Sequence, residues 1–156
     1  MPRRRGDGLN PETSWRMRLV RPGNLEYQVT IGHRIDDDPQ ILVDGRRLEA
    51  LIVWNLERMA SIANGLDLTG PALVSISFDG VEDVELSGGR SGGRRLRQQE
   101  VILPVAKLAD MNGELAAALQ EQLDILWQTA GWIDGSPSFA TGAWAGYSDK
   151  QNYNID

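Results

Sequence analysis

One imidazole and three carboxylates stand close together in the sequence: His33, then Asp36, Asp37 and Asp38. Imidazole and carboxylate ligate divalent ions together, and aspartates alone suit calcium or magnesium. The spacing follows no ligand-loop template, because no glycine turns the chain at the sixth position and no glutamate closes it. A solvated acidic loop is the plainer reading, so no metal site and no cofactor are expected. A small enzyme or metal-binding protein using these four residues stands as the second alternative function.

A run of arginine and glycine, SGGRSGGRRLR, spans residues 87–97 and carries Arg90, Arg94, Arg95 and Arg97. Glycine lets backbone approach a phosphate, and the guanidinium fork grips one with two donors. Single-strand binders pair such segments with aromatic rings, and this run has none. It also lacks the lysine and hydroxyl that end a nucleotide-phosphate loop. The plainer reading is a flexible connection between strands. Phosphate or nucleic-acid contact through these four arginines is the first alternative function, with Arg3, Arg4 and Arg5 as an addition or a solubilising arm.

Hydrolytic chemistry finds little to work with in one histidine and no cysteine. Ser75, Ser77 and Ser87 sit in strand or loop contexts without a strand–turn–helix nucleophile elbow. Glu82, Asp83 and Glu85 supply clustered carboxylates, which read more simply as the solvated face and tip of a hairpin. No catalytic residue is assigned.

The remaining oddity is Trp54. It falls on the polar side of a helix, near Arg47, Arg58 and Ser61. Tryptophan and arginine dominate binding hot spots. The last residues add Phe139, Trp144 and Tyr147 among small and polar neighbours. Five tryptophans to two phenylalanines favour contact surfaces over a plain aliphatic core. Two readings of Trp54 stay open: cover by the chain's own C-terminal segment, or a docking surface. The expectation is a non-catalytic interaction module or assembly subunit. It would dock on a protein partner or a second copy through Trp54, Arg47, Arg58, Phe139, Trp144 and Tyr147.

The elements that must position these residues follow from periodicity. Ser14–Arg21 and Leu25–Ile31 alternate around Pro22-Gly23-Asn24 and predict an antiparallel hairpin. A short strand at Gln40–Val43 leads through Asp44-Gly45 into a helix over roughly 47–64. Its apolar face would be Leu48, Leu51, Ile52, Leu56, Met59, Ile62 and Ala63, with Asn55 needing a partner inside it. LVSISFDGVEDVEL predicts a tight hairpin about Asp79-Gly80. Gln99–Val105 is a further strand, with Pro104 at an edge or exit. Gly113–Ile133 predicts one packed helix with Leu115, Ala118, Leu119, Leu123, Leu126, Ala130 and Ile133 inward. Asp110 would cap it and Gly131 would stop it.

The sum is an α+β domain: a mostly antiparallel sheet of five to six strands with two helices on one face, a β-β-β-α pattern used twice. Its expected divisions are a flexible basic arm (1–13), the domain (14–133) and an aromatic tail (134–156). The 156 residues suit one domain. No apolar run reaches the ~20 residues of a membrane span, and no apolar stretch follows the basic start as a secretory signal requires. With no cysteine, a cytoplasmic location is expected. Charge is uneven. Residues 1–21 carry +4 and the arginine run another +4, and removing both from the net −6 leaves −14 on the rest. Such an acidic body repels nucleic acid over most of its surface.

The succession DGVEDVEL, ILPVAKL, LDILWQTAGW, GSPSF resembles trailing segments of larger bacterial proteins with Schlafen- or AlbA-type nucleic-acid domains. The likeness covers the last half of the chain and assigns no residue a role.

Overall fold

The computed structural model describes residues 15–21, 23–31, 41–88 and 92–147. The readings made for 1–13, for His33 and Asp36, Asp37 and Asp38, and for Arg90 fall outside these residues. The architecture is α+β. The described residues form nine short strands, in sheets of two and three, and three helices.

The first hairpin is as its alternation demands. β1 (Trp15–Arg21) and β2 (Asn24–Val29) pair antiparallel, with Met17 opposite Tyr27 and Arg18 opposite Glu26. Gly23 turns the chain at φ 85°. The polar face is solvated, and there Arg16 donates to Gln28 at 3.0 Å.

β3 (Leu42–Asp44) runs straight into α1 (Gly45–Gly65). The Asp44 carboxylate accepts from the backbone N–H groups of Arg46 and Arg47, which satisfies two donors the helix start leaves unpaired. The buried stripe is Glu49, Val53, Leu56, Ala60 and Ala63, with Leu48 and Ala50 beside it. This corrects the expected face. Leu51, Ile52 and Met59 are only half buried and Ile62 is exposed. The large aliphatic residues drew the predicted stripe toward themselves, whereas the helix turns its small alanines and a glutamate inward. Asn55 meets its need locally, donating to the Leu51 carbonyl at 2.7 Å.

The centre of the fold is one long antiparallel ribbon. β4 (Ala72–Val74), β5 (Ser77–Asp79) and β6 (Glu85–Ser87) lie in succession on the outgoing arm. β7 (Gly93–Arg95), β8 (Glu100–Ile102) and β9 (Ala106–Leu108) return along the other. The pairs are nested, β4 with β9, β5 with β8 and β6 with β7. Further backbone bonds bridge the gaps: Leu103 N–H to Ile76 in one, and Val81 N–H to Gln99, Asp83 N–H to Leu96 and Leu96 N–H to Val84 in the other. β3 adds parallel to β6 at the tip.

The hairpin expected at Asp79-Gly80 is therefore absent, and the chain reverses between β6 and β7 instead. A two-residue primed turn of the favoured Asp-Gly kind needs positive φ at both central residues. Here Gly80 has φ 70° while Asp79 stays on the ordinary side. The result is a kink, continued by a turn from Val81 to Val84 with Asp83 at φ 64°. That turn buries both valines. Within the arginine run, residues 93–95 form β7.

The long C-terminal helix is broken. α2 (Leu115–Ala118) and α3 (Gln120–Thr129) meet at Leu119, which is wholly buried. Asp110 does not cap it but accepts from the N–H of Asn112, and Glu114 precedes α2 without a side-chain cap. Ala118 is exposed and Ile133, expected inward, is 88% exposed. Gly131 does stop the helix, at φ 98°. Its N–H bonds Gln128, and the next N–H, of Trp132, reaches back to Trp127 at 3.0 Å. The two indoles then meet edge to face, 5.5 Å between centroids, which completes a Schellman stop with its apolar contact.

Two packed clusters fill the space between ribbon and helices. Leu48, Leu86, Leu96, Val101, Leu126 and Trp127 fill the half near the ribbon tip. Val53, Leu56, Leu108, Leu119, Leu123 and Phe139 fill the half near its root. Gly45 is the floor for the Trp127 ring: a Cβ there would lie 2.5 Å from two ring carbons. Gly45→Ala should therefore overpack the core and destabilise by about 1–3 kcal/mol, lowering the urea midpoint. An unchanged midpoint would mean the ring can slide aside.

Candidate functional site

Helix α1 carries chemistry on two opposite sides. On the core side Glu49 is completely buried. The Trp127 indole N–H donates to its Oε1 at 2.6 Å, and the hydroxyl of Ser136 donates to the same oxygen. The hydroxyl of Ser138 donates to Oε2. Ser136 also accepts from the N–H of Ser138, as cap of a short 3₁₀ turn, Pro137–Phe139. Its own N–H donates to Asp124 on α3 at 2.8 Å. One carboxylate thus ties together α1, α3 and the Gly135–Phe139 segment.

Burial raises the Glu49 carboxyl above its ordinary value, and this dominates. The hydroxyls of Ser136 and Ser138, the Trp127 N–H and the charge of Arg46, one turn back, pull the other way and offset it in part. The arrangement holds three segments of the chain together. Ser136 has its hydrogen engaged by Glu49 and a lone pair by Ser138, and both serines are buried. Among the described residues no group of three or more His, Asp or Glu side chains is placed to hold a metal ion.

On the solvent side Trp54 is 42% exposed. Arg47, Trp54, Arg58 and Ser61 recur at helical spacing within about 40° of one line, and all four are exposed. Tyr147 meets Trp54 edge to face at 6.4 Å. The sequence-derived residues thus divide. Trp54, Arg47, Arg58 and Tyr147 come together. Trp144 is half buried against the root cluster, and Phe139 belongs to the core.

The arginines of the hairpin tip divide as well. The Arg94 guanidinium lies 5.4 Å above the Trp132 ring, a cation–π contact, while Arg95 and Arg97 are exposed. Trp132 and Arg94 also form part of the wall of an open cleft of about 480 Å³, with Asp134 and Pro137.

Glu49, Ser136 and Ser138 were missed by sequence reasoning. The available signals were a glutamate in register with Val53 and Leu56, and two hydroxyls around a proline.

No protein-family model matches the chain, and neither a curated protein nor a solved structure matches it. No helix among the described residues is long and apolar enough to cross a membrane.

A group whose folded pKa is raised holds its proton more tightly folded than unfolded. Its stabilising contribution is full below the ordinary value of 4.5 and is lost as pH rises through the folded value. The urea midpoint of the wild type, measured against Glu49→Gln, should therefore rise as pH falls from about 7 to about 5. A gap between the two proteins that does not vary with pH contradicts this.

Proposed function

We propose that this chain is a non-catalytic interaction module that docks on a protein partner through the outer face of α1. The observation that carries the reading is Trp54, an indole left 42% exposed on the outer face of α1 and met edge to face by the half-buried Tyr147. Large aromatic groups at a surface, flanked by arginine, are the composition of binding hot spots. Arg47 and Arg58 flank it along α1, eleven positions apart and so about 16 Å along the axis. A partner segment with an apolar anchor and carboxylates on either side fits that stripe.

Affinity capture from lysates of the source cells tests this, with Trp54→Ala and the double variant Arg47→Glu/Arg58→Glu beside the wild type. Truncating a hot-spot tryptophan costs about 2 kcal/mol or more, so capture of the true partner should weaken roughly thirtyfold. Circular dichroism establishes that the variants remain folded. An identical captured set from Trp54→Ala removes the reading.

A second reading, contact with nucleic-acid phosphates at the ribbon tip, is favoured by one observation. The arginine run lacks an aromatic of its own, yet the fold brings Trp132 beneath Arg94, next to the exposed Arg95 and Arg97. It predicts binding of single-stranded oligonucleotides that falls steeply with salt, and that is lost when Arg94, Arg95 and Arg97 become alanine. Binding that survives the triple substitution excludes it.

A further inference from the structure

The helices cover one face of the ribbon and leave the other bare. On the returning arm Val101, Leu103, Ala106 and Leu108 are buried, while Glu100, Ile102, Val105 and Lys107 are exposed. On the outgoing arm Leu73, Ser75, Ser77 and Asp79 are exposed, in strict alternation with half-buried neighbours. Ile102 and Val105 share the bare face although they are three positions apart, because the register slips between them. Ser77 pairs with Ile102 but Val74 with Ala106, so residues 103–105 stand against Ser75 and Ile76. That is a bulge, and Pro104, which has no N–H to give, lies in its middle.

The bare face is apolar at its centre and charged at its ends. Leu73, Ile102 and Val105 are 71%, 66% and 53% exposed. Toward the tip, Asp79 lies directly opposite Glu100. Like charges in that position repel. Asp79 accepts from the backbone N–H of Gly80, yet neither carboxylate is in an ion pair among the described residues. Toward the root, Lys107 lies opposite Leu73, again outside any ion pair among those residues. The order of residues is symmetric about Leu103-Pro104. Ile102 and Val105 flank that pair directly, and Glu100 and Lys107 lie two positions beyond them.

We infer that this face is an interface between two copies of the chain, stacked face to face with their ribbons antiparallel about a twofold axis that crosses the strands at Leu103-Pro104. A surface with carboxylates at one end, an ammonium group at the other and apolar residues between is complementary to its own reverse. In this arrangement Ile102 of each copy packs on Val105 of the other. Lys107 of each copy reaches the Asp79–Glu100 pair of the other and supplies the cation that pair lacks. The face is two strands wide and eight positions long, Glu100 to Lys107, roughly 10 Å by 25 Å. That is well below the ~800 Å² per partner of a tight complex, so the dimer is weak and reversible. It lies on the side of the ribbon opposite the helices and is independent of the docking role of Trp54.

Sedimentation equilibrium of the full-length chain, carried up to about 1 mM, measures the association. The wild type should dimerise reversibly, and added salt should weaken the dimer. Every ribbon position substituted here is exposed, so the core is left intact. Ile102→Asp should raise the dissociation constant at least tenfold, because it places an unpaired charge at the centre of the contact. Lys107→Glu and Glu100→Lys should each raise it about tenfold, since the axis doubles each loss. An equimolar mixture of those two variants should associate about as well as the wild type, because positions 107 and 100 then again meet with opposite charges. Trp54→Ala should leave the equilibrium unchanged. A wild type that stays monomeric overturns the inference and gives the face to another occupant. So does association that Ile102→Asp leaves intact, that falls in Trp54→Ala, or that the mixture of charge variants fails to recover.

Discussion

The fold depends on a single buried carboxyl group. Glu49 has no contact with solvent, yet a carboxylate in such a place is tolerated only when its oxygens are met by donors. The donors come from far along the chain: an indole on α3 and two hydroxyls just past it. Each must sit within hydrogen-bond reach of a group fixed on α1, so the carboxylate sets the spacing between two helices and the segment that follows them. Hydrogen bonds to such a group contribute little net stability, because they largely offset its desolvation. What they impose is geometry, since a shifted donor leaves a buried polar oxygen short of a partner.

Around that point the large rings find small floors. Trp127 lies over Gly45 and Trp132 over Gly88, in each case too close for a side chain on the glycine. The Schellman stop at Gly131 places both indoles, one from the last turn of α3 and one just beyond it. The helix terminus thereby connects α1, the ribbon and the C-terminal segment.

Elements whose reasons are local were legible in the sequence. The β1–β2 hairpin and the stop at Gly131 depend on residues adjacent in the chain and stand where their signals placed them, whereas α1 begins two residues before the expected position 47 because Asp44 caps it. Features decided by distant partners were not. Glu49 reads as a polar break in an apolar stripe, and only Trp127, Ser136 and Ser138, which lie 78 to 89 positions away, explain it. The Asp79-Gly80 signal was overruled because burying Val81 and Val84 requires a kink where the local motif alone favours a reversal. The helix around Leu119 looked continuous because its apolar spacing continues through the break. The face of α1 was rotated by weighting leucine and isoleucine over alanine, although close packing against the ribbon selects the smaller residue. Of the candidate site, the exposure of Trp54 and its arginine neighbours was readable from helical spacing. Its meeting with Tyr147 was not.

The Trp132 ring reaches both arms of the ribbon near its tip. It packs against Gly88 on the outgoing arm, lies beneath Arg94 on the returning arm, and donates at 3.4 Å to the Leu86 carbonyl. A long hairpin ordinarily behaves as a cantilever, its free end swinging most. This one is a beam supported at both ends, by the helices beside its root and by one rivet near its tip.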